Sequence, residues 1–175
     1  MTQCQAGAVE TVVLVEGVSD QVAVETLAAR SGRDLRAEGV SVLPMGGATN
    51  IAAFIEQLRL ADRDVRMAGL CDEREERYFR RQLAHVYVCV ADLEDELIRA
   101  LGTAAVQEVI DDQGDLGSLR IMQKQPDQQG RSVEHQLRRF MGTRSGRKIH
   151  YANVLVEALD LSHVPRPLEQ LLAYV

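Results

Sequence analysis

The sequence TVVLVEGVSD, residues 11–20, decides the fold that we predict for this chain. Its first half is a β-branched apolar run, which is typical of a parallel strand buried on both faces of a sheet. Glu16 follows directly, so the strand delivers an acid to its carboxyl end, where open α/β sheets bind their ligands. Asp20 comes one helical turn later and should face the same place. The segment therefore predicts a functional site at the end of the first strand.

A second apolar run, residues 65–71, also ends in an acid, Asp72. If the two strands lie side by side, Glu16, Asp20 and Asp72 meet in one crevice. Crowded carboxylates repel one another unless a hard cation binds them, and carboxylate oxygens are the ligands that Mg²⁺ prefers. The pattern predicts a divalent-metal site.

The first hundred residues alternate strands with helices. Further strands are predicted over residues 40–43 and 86–90, and helices over residues 19–30, 46–60 and 75–84. This alternation predicts an α/β fold with a mostly parallel, Rossmann-like four-stranded sheet flanked by helices. Beyond Asp92 only helices are predicted, over residues 93–101, 104–110, 116–123, 133–141 and 151–159. We expect an α/β domain over residues 1–101 and a C-terminal helical extension packed on it over residues 102–175.

Composition and charge narrow the class of protein. At 175 residues with 46% hydrophobic content, the chain can bury one sizeable core. Neither a membrane-spanning stretch nor a signal peptide is evident in the sequence, so we expect a cytoplasmic protein without membrane contact. The net charge of −6 is unevenly spread, because eight Lys and Arg lie within residues 118–151 against two acids. That segment predicts either a phosphate-attracting flank or an ordinary solvated helix face.

The motif Glu16-Gly17-x-x-Asp20 resembles the first motif of Toprim domains, in the form found in OLD-family (overcoming lysogenization defect) ATP-dependent endonucleases. The turn Pro44-Met45-Gly46-Gly47 and the late Ser145-Gly146-Arg147-Lys148 follow in the order expected of that family. The resemblance implies a Toprim fold and Mg²⁺-dependent phosphodiester hydrolysis, by nicking or cleaving DNA, with Mn²⁺ as a substitute ion and RNA not excluded as a substrate. It also implies catalytic roles for Glu16, Asp72 and Lys148.

Two further sets of residues complete the predicted site. The candidate metal ligands are carboxylates at or near the strand ends, namely Glu16, Asp20, Asp72, Glu73, Glu76 and Glu94. The candidate nucleic-acid contacts are the cations of the late basic segment, namely Arg138, Arg139, Arg144, Arg147 and Lys148. Asp92 is better explained as a helix cap, because acids favour helix N-termini.

The chain departs from the family pattern at one position, since Arg74 stands where the second Asp of the Asp-x-Asp motif is expected. A cation cannot ligate a metal, so a catalytically weakened Toprim subunit that binds nucleic acid or a partner is the alternative function. A receiver-like phosphorylation module is a more distant one. The sequence has no Walker motif, so we expect no ATP site here, and either a separate ATPase partner or a homodimer would be compatible with the pattern.

Overall fold

The computed structural model describes residues 10–60, 65–143 and 146–175. Its four strands form one sheet in the order β2-β1-β3-β4, and every neighbouring pair is parallel. This confirms the predicted α/β class and its parallel sheet. The strands are β1 (Glu10–Val15), β2 (Val40–Pro44), β3 (Val65–Asp72) and β4 (Val86–Cys89).

Nine helices are found within the described residues, and most of them lie where the sequence predicts. They are α1 (Val18–Arg30), α2 (Ile51–Leu60), α3 (Glu76–Arg80), α4 (Leu93–Leu101), α5 (Thr103–Asp112), α6 (Leu116–Gln123), α7 (Val133–Gly142), α8 (Arg147–Ala158) and α9 (Arg166–Tyr174).

Three of these helices differ from the prediction. The helix predicted over residues 75–84 is wrong in its extent, because a 3₁₀ turn at Glu73–Glu75 precedes the short α3. Helix α8 begins at Arg147, one turn earlier than predicted. Helix α9 was not predicted, because Pro165 and Pro167 look like loop residues, yet proline is well tolerated where a helix begins.

The central strand β1 is buried on both faces, as its apolar run predicts. Val13 and Val15 pack into one hydrophobic cluster with α1 and the C-terminal helices. Val12 and Leu14 pack into a second cluster on the opposite face, with side chains from α2 and α3. The sheet is therefore covered on both sides by hydrophobic packing.

The C-terminal helices share a core with the sheet. The first cluster contains residues on both sides of position 101, from Val13 in β1 to Leu171 in α9. Helix α8 also bonds directly to α1, because Arg30 donates to the carbonyls of Val156 and Leu159 at 2.7 Å each. The predicted domain boundary therefore does not divide the hydrophobic core. Within the described part of the chain, no helix is long and apolar enough to cross a membrane.

A close approach between β3 and α3 depends on Gly69. A Cβ atom at this position would lie 2.5 Å from Cδ1 of Phe79 and 2.9 Å from Cδ1 of Leu83. Phe79 is fully buried, so neither it nor the strand can move freely. The glycine lets the short helix pack directly on the sheet.

We predict that Gly69→Ala destabilises the protein by about 1–3 kcal/mol through overpacking, measured by urea unfolding. Gly117→Ala is the matched control, because nothing lies within 4 Å of its Cβ position in α6 and alanine favours a helix. Equal stability of the Gly69→Ala variant and the wild type would contradict the close approach.

Candidate active site

The carboxyl ends of β1 and β3 bring two predicted acids together. The strands are direct neighbours, with Val15 opposite Leu70, so Glu16 and Asp72 leave the sheet at the same edge. The backbone N–H of Asp72 donates to Oε1 of Glu16 at 2.9 Å. Residues 56 positions apart in the sequence are thus joined in one hydrogen bond.

The glycine turn after β2 holds the backbone at Glu16. Gly46 and Gly47 have φ angles of 69° and 125°, which side chains with a Cβ rarely adopt. This conformation lets the N–H of Gly47 donate to the carbonyl of Glu16 at 3.0 Å, while the N–H of Met45 donates to Val15 at 2.9 Å. The turn therefore fixes where the first acid leaves the sheet.

Asp20 lies in the first turn of α1 and is buried. Its Oδ2 accepts a hydrogen bond from the N–H of Gly17 at 2.9 Å, which turns the carboxylate back toward the end of β1. Burial raises the pKa of Asp20, and the positive charge of Lys148 opposes that shift. The geometry predicted for the Glu16-Gly17-x-x-Asp20 motif is present.

These carboxylates act on one another electrostatically. Burial raises the pKa of Asp72 to about 8, with further contributions from Glu16, Asp20 and Asp92. Burial also raises the pKa of Glu16, with Asp20 and Glu75 adding to the effect. A proton, or a cation in its place, is favoured in this pocket because it relieves both the burial and the repulsion.

Lys148 brings a positive charge to the pocket from the N-terminus of α8. Its Nζ lies 3.2 Å from Oε2 of Glu94, whose side chain is only 6% exposed. Burial acts to lower the pKa of Lys148, but Glu94, Asp20 and Asp72 outweigh it, and the net shift is upward. The other oxygen of Glu94, Oε1, is buried without a hydrogen-bond partner among the described residues. The pocket therefore holds the positive charge of Lys148, paired with Glu94, and a Glu94 oxygen that can accept a further hydrogen bond.

A cleft of about 640 Å³ opens beside Lys148 and Glu94. Helix α7 forms one wall, on which Arg138 pairs with Asp92, while the other oxygen of Asp92 caps α4 through the N–H of Asp95 at 2.9 Å. The cap expected at Asp92 is thus present. The preceding Ala91 has a φ of 64°, a strained conformation for a residue with a Cβ, and it aims Asp92 at the cleft. The lining is Asp92, Glu94, His135, Arg138, Arg139, Gly142, Thr143 and Lys148.

The structure does not gather every acid that the sequence suggested. Glu73 is exposed, and Glu76 forms an ion pair with Arg80, so neither has a recorded contact with Glu16 or Asp72 among the described residues. Glu75 is the acid of this segment whose charge acts on Glu16. Helical periodicity favoured Glu76 because it assumes an α-helix after Asp72, whereas the chain forms a tighter 3₁₀ turn.

The cations predicted to contact nucleic acid do not all lie at the cleft. Arg139 is 53% exposed on the cleft wall and lies 3.4 Å from Asp127. Arg147 is buried against Asp115 and does not line the cleft. The phosphate contact predicted for this residue is therefore not available in the cleft. Burial was not foreseeable from a basic run, because arginine is seldom buried. Arg144 lies outside the described residues.

Comparisons with known proteins address the fold and the family of this chain. Residues 9–73 match the family model of the overcoming lysogenization defect protein-like Toprim domain, a span that includes Glu16, Asp20 and Asp72. A comparison with curated proteins gave no match.

Two solved structures show the same fold. The C-terminal region of the Burkholderia pseudomallei OLD protein superposes with a TM-score of 0.67 at 16% identity, covering 95% of this chain and 96% of that chain. The C-terminal region of the Xanthomonas campestris pv. campestris OLD protein, phased with mercury, superposes with a TM-score of 0.64 at 19% identity, covering 95% and 94%. The resemblance to an OLD-type Toprim domain is confirmed.

The donor chemistry of the pocket fits a hard divalent cation, although the ligands are not pre-assembled. Glu16, Asp20, Asp72 and Glu94 all offer carboxylate oxygens, and repulsion among them leaves a cation favoured. Across residues 10–60, 65–143 and 146–175, however, no three His, Cys, Asp or Glu side chains are grouped closely enough to hold one ion. Mg²⁺ commonly takes only one or two carboxylates together with water and substrate phosphates, and that mode suits this pocket.

We predict that Asp72→Asn stabilises the metal-free protein. Because the pKa of Asp72 is raised from 3.8 to about 8, the wild type loses stability as the pH rises from about 4 to about 8, where the unfolded chain has released a proton that the folded chain keeps. Asparagine cannot ionise, so the variant should be more stable by about 1–2 kcal/mol near pH 8, allowing for solvent screening.

Urea unfolding in the presence of a chelator, at several pH values, measures this difference. Asp112→Asn, at an exposed acid of α5, is the control that should follow the wild type. Parallel curves for Asp72→Asn and the wild type would show that neither burial nor the neighbouring carboxylates raise the pKa of Asp72.

Proposed function

We propose, from the premise that residues 9–73 form a Toprim domain of the OLD type, that this chain hydrolyses phosphodiester bonds of DNA with a divalent metal ion. Mg²⁺ is the expected ion and Mn²⁺ its substitute. The observation that carries the proposal is the convergence of Glu16, Asp20 and Asp72 on one edge of the sheet, opposite Lys148. Toprim domains generally bind divalent ions, and those of OLD proteins act on nucleic acids, which agrees with this chemistry.

Glu16 and Asp72 are the residues that would hold the ion, with Asp20 beside them. Oε1 of Glu16 already accepts the N–H of Asp72, so its other oxygen would serve as the ligand or as a proton acceptor. A bound ion of this kind activates water and stabilises charge on the attacked phosphate. The raised pKa values of the carboxylates mean that ion binding would displace protons.

Lys148 stands on the opposite side of the pocket and supplies positive charge to a phosphoryl oxygen as negative charge develops. Its place in the first turn of α8 adds the positive end of the helix dipole. Glu94 pairs with the ammonium, and the charges of Asp20 and Asp72 also act on it. A phosphate between Lys148 and the strand ends would therefore meet cations on both sides.

The cleft beside Lys148 is the path that we propose for the DNA backbone. Arg138 and Arg139 lie along its α7 wall and would contact phosphates flanking the cleaved bond. Segregated charge of this type attracts DNA even though the whole chain is acidic. A separate ATPase partner and a homodimer remain predictions.

The alternative function is a Toprim subunit that binds nucleic acid without cutting it. Arg74, exposed in the turn after β3, stands where one metal ligand is expected, and the described acids do not form a three-ligand group. Under this alternative the cleft still binds DNA, but the carboxylates do not support hydrolysis.

We predict that the wild type nicks supercoiled plasmid in Mg²⁺ or Mn²⁺ and that Glu16→Gln, Asp72→Asn and Lys148→Met each lower the rate about a hundredfold or more. Agarose gels resolve the nicked form. Glu108→Gln and Lys124→Met, at exposed residues outside the proposed machinery, are matched controls and should retain the wild-type rate. Unchanged nicking in Glu16→Gln and Asp72→Asn would refute the enzyme, whereas DNA binding without nicking by the wild type would favour the alternative.

We also predict that Arg139→Gln weakens DNA binding and reduces the slope of log affinity against log salt by about 1, because one phosphate contact is lost. Fluorescence anisotropy with a short duplex over a salt series measures both quantities. Arg131→Gln, an exposed cation of the same basic segment that does not line the cleft, is the control. Equal slopes for the two variants would place the DNA elsewhere.

A further inference from the structure

Arg147, the residue before Lys148, is held in a polar network inside the helical extension. Its side chain is 8% exposed, and Nη2 lies 3.3 Å from Oδ1 of Asp115. Nη1 donates to Oγ1 of Thr143 at 3.0 Å, and the guanidinium carbon sits 4.0 Å from the centre of the Phe140 ring. A buried arginine held by an ion pair, a hydrogen bond and an aromatic ring has little freedom to move.

Tyr151, one turn later on α8, completes the network. It is fully buried, and its hydroxyl donates to Oδ2 of Asp115 at 3.0 Å, so both oxygens of that carboxylate are engaged. Burial, together with this hydrogen bond to Asp115, raises the pKa of Tyr151, which keeps the hydroxyl as a donor. Asp115 directly precedes α6 and Thr143 directly follows α7. The network therefore ties the first turn of α8 to the ends of two other helices.

The start of α8 needs such support. Its first turn is Arg147-Lys148-Ile149-His150, which places two cations at the positive end of a helix dipole. Gly146, in the left-handed conformation at the N-terminus, has no side chain with which to cap it. Two carboxylates, Asp115 just before α6 and Glu94 in α4, supply the missing negative charge. Without them this turn would be prone to fraying.

We propose that Arg147, Asp115 and Tyr151 are positioning residues that fix the first turn of α8 and so aim Lys148 at the strand-end carboxylates. The catalytic consequence of this inference rests on the role proposed for Lys148. Lysine has a long, flexible side chain, and that of Lys148 is 45% exposed, so its own contacts define its position only loosely. The immediately preceding buried arginine fixes the backbone from which it projects.

A zero-length carbodiimide cross-link tests the position of Lys148 without reference to activity. The reagent activates the Glu94 carboxylate, the Lys148 amine attacks it, an amide forms and the urea leaves. The 3.2 Å separation of Nζ and Oε2 favours this product in the wild type, and mass spectrometry of a digest quantifies it. Glu94→Gln should abolish the product and so identifies it.

We predict that Arg147→Met and Asp115→Asn lower the yield of this cross-link severalfold, and that Tyr151→Phe lowers it less because it removes one hydrogen bond. In plasmid nicking, the same variants should lose about 10- to 100-fold in kcat with KM for DNA unchanged, since a displacement of about 1 Å is enough to misalign a catalytic group. Arg147→Lys should restore little, because lysine lacks the planar fork that the network uses.

Arg30→Met is the matched control. Arg30 is also an arginine that holds α8, but at the opposite end, through the carbonyls of Val156 and Leu159. It should lower thermal stability while leaving the cross-link and kcat at the wild-type level. Tyr151→Phe serves as the folded test case if the Arg147 and Asp115 variants do not fold.

A wild-type cross-link yield in folded variants, or an equal loss in Arg30→Met, overturns the inference. If the wild type does not nick DNA, the proposed function fails, but the cross-link still decides whether the network positions Lys148.

Discussion

The parallel pairing of β1 with β3 is the constraint on which the rest of this structure depends. It sets two strand ends side by side and so forces the carboxylates of Glu16 and Asp72 into one pocket. The cost of crowding them is offset by burying β1 on both faces, where four apolar side chains lose nearly all contact with water. A well-packed sheet thus holds mutually repelling carboxylates close together, which is common at functional sites.

Lys148, in the helical extension, reduces the repulsion among these carboxylates with its positive charge. The acids of the pocket raise the pKa of Lys148, and Lys148 in turn opposes the shifts at Asp20 and Glu94. The extension is therefore part of the electrostatics of the site as well as of its packing. At this pocket, a cation of the helical extension lies beside the acids of the α/β half of the chain.

Much of this arrangement could be predicted from the sequence. The apolar run of β1 and the alternation of strands and helices fix the sheet, and an acid directly after a strand fixes its own place at the sheet edge. Glu16, Asp20 and Asp72 lie where that reasoning puts them. These predictions succeed because each depends on local periodicity or on one strand pairing.

The remainder depends on contacts distant in sequence. Arg147 looks like a surface cation, and only the positions of Asp115 and Phe140 show that it is buried. Glu75 replaces Glu76 near Glu16 because the chain after β3 turns more tightly than an α-helix. Helix α9 is not predicted from the sequence because Pro165 and Pro167, at its start, are more typical of a loop. The burial of Arg147 and the tight turn after β3 have no periodic signal, since each arises from tertiary packing that overrides local preference.

The hydrophobic cluster that runs from Val13 to Leu171 has a consequence for how the chain comes apart. Since the central strand, α1, α8 and α9 contribute to the same core, the two halves cannot melt separately, and heat should disrupt them in a single cooperative transition. A chain cut after position 101 would leave the apolar side of α1 without its covering helices and would tend to aggregate. The sheet with its acids and the helices with their lysine therefore behave as one folding unit.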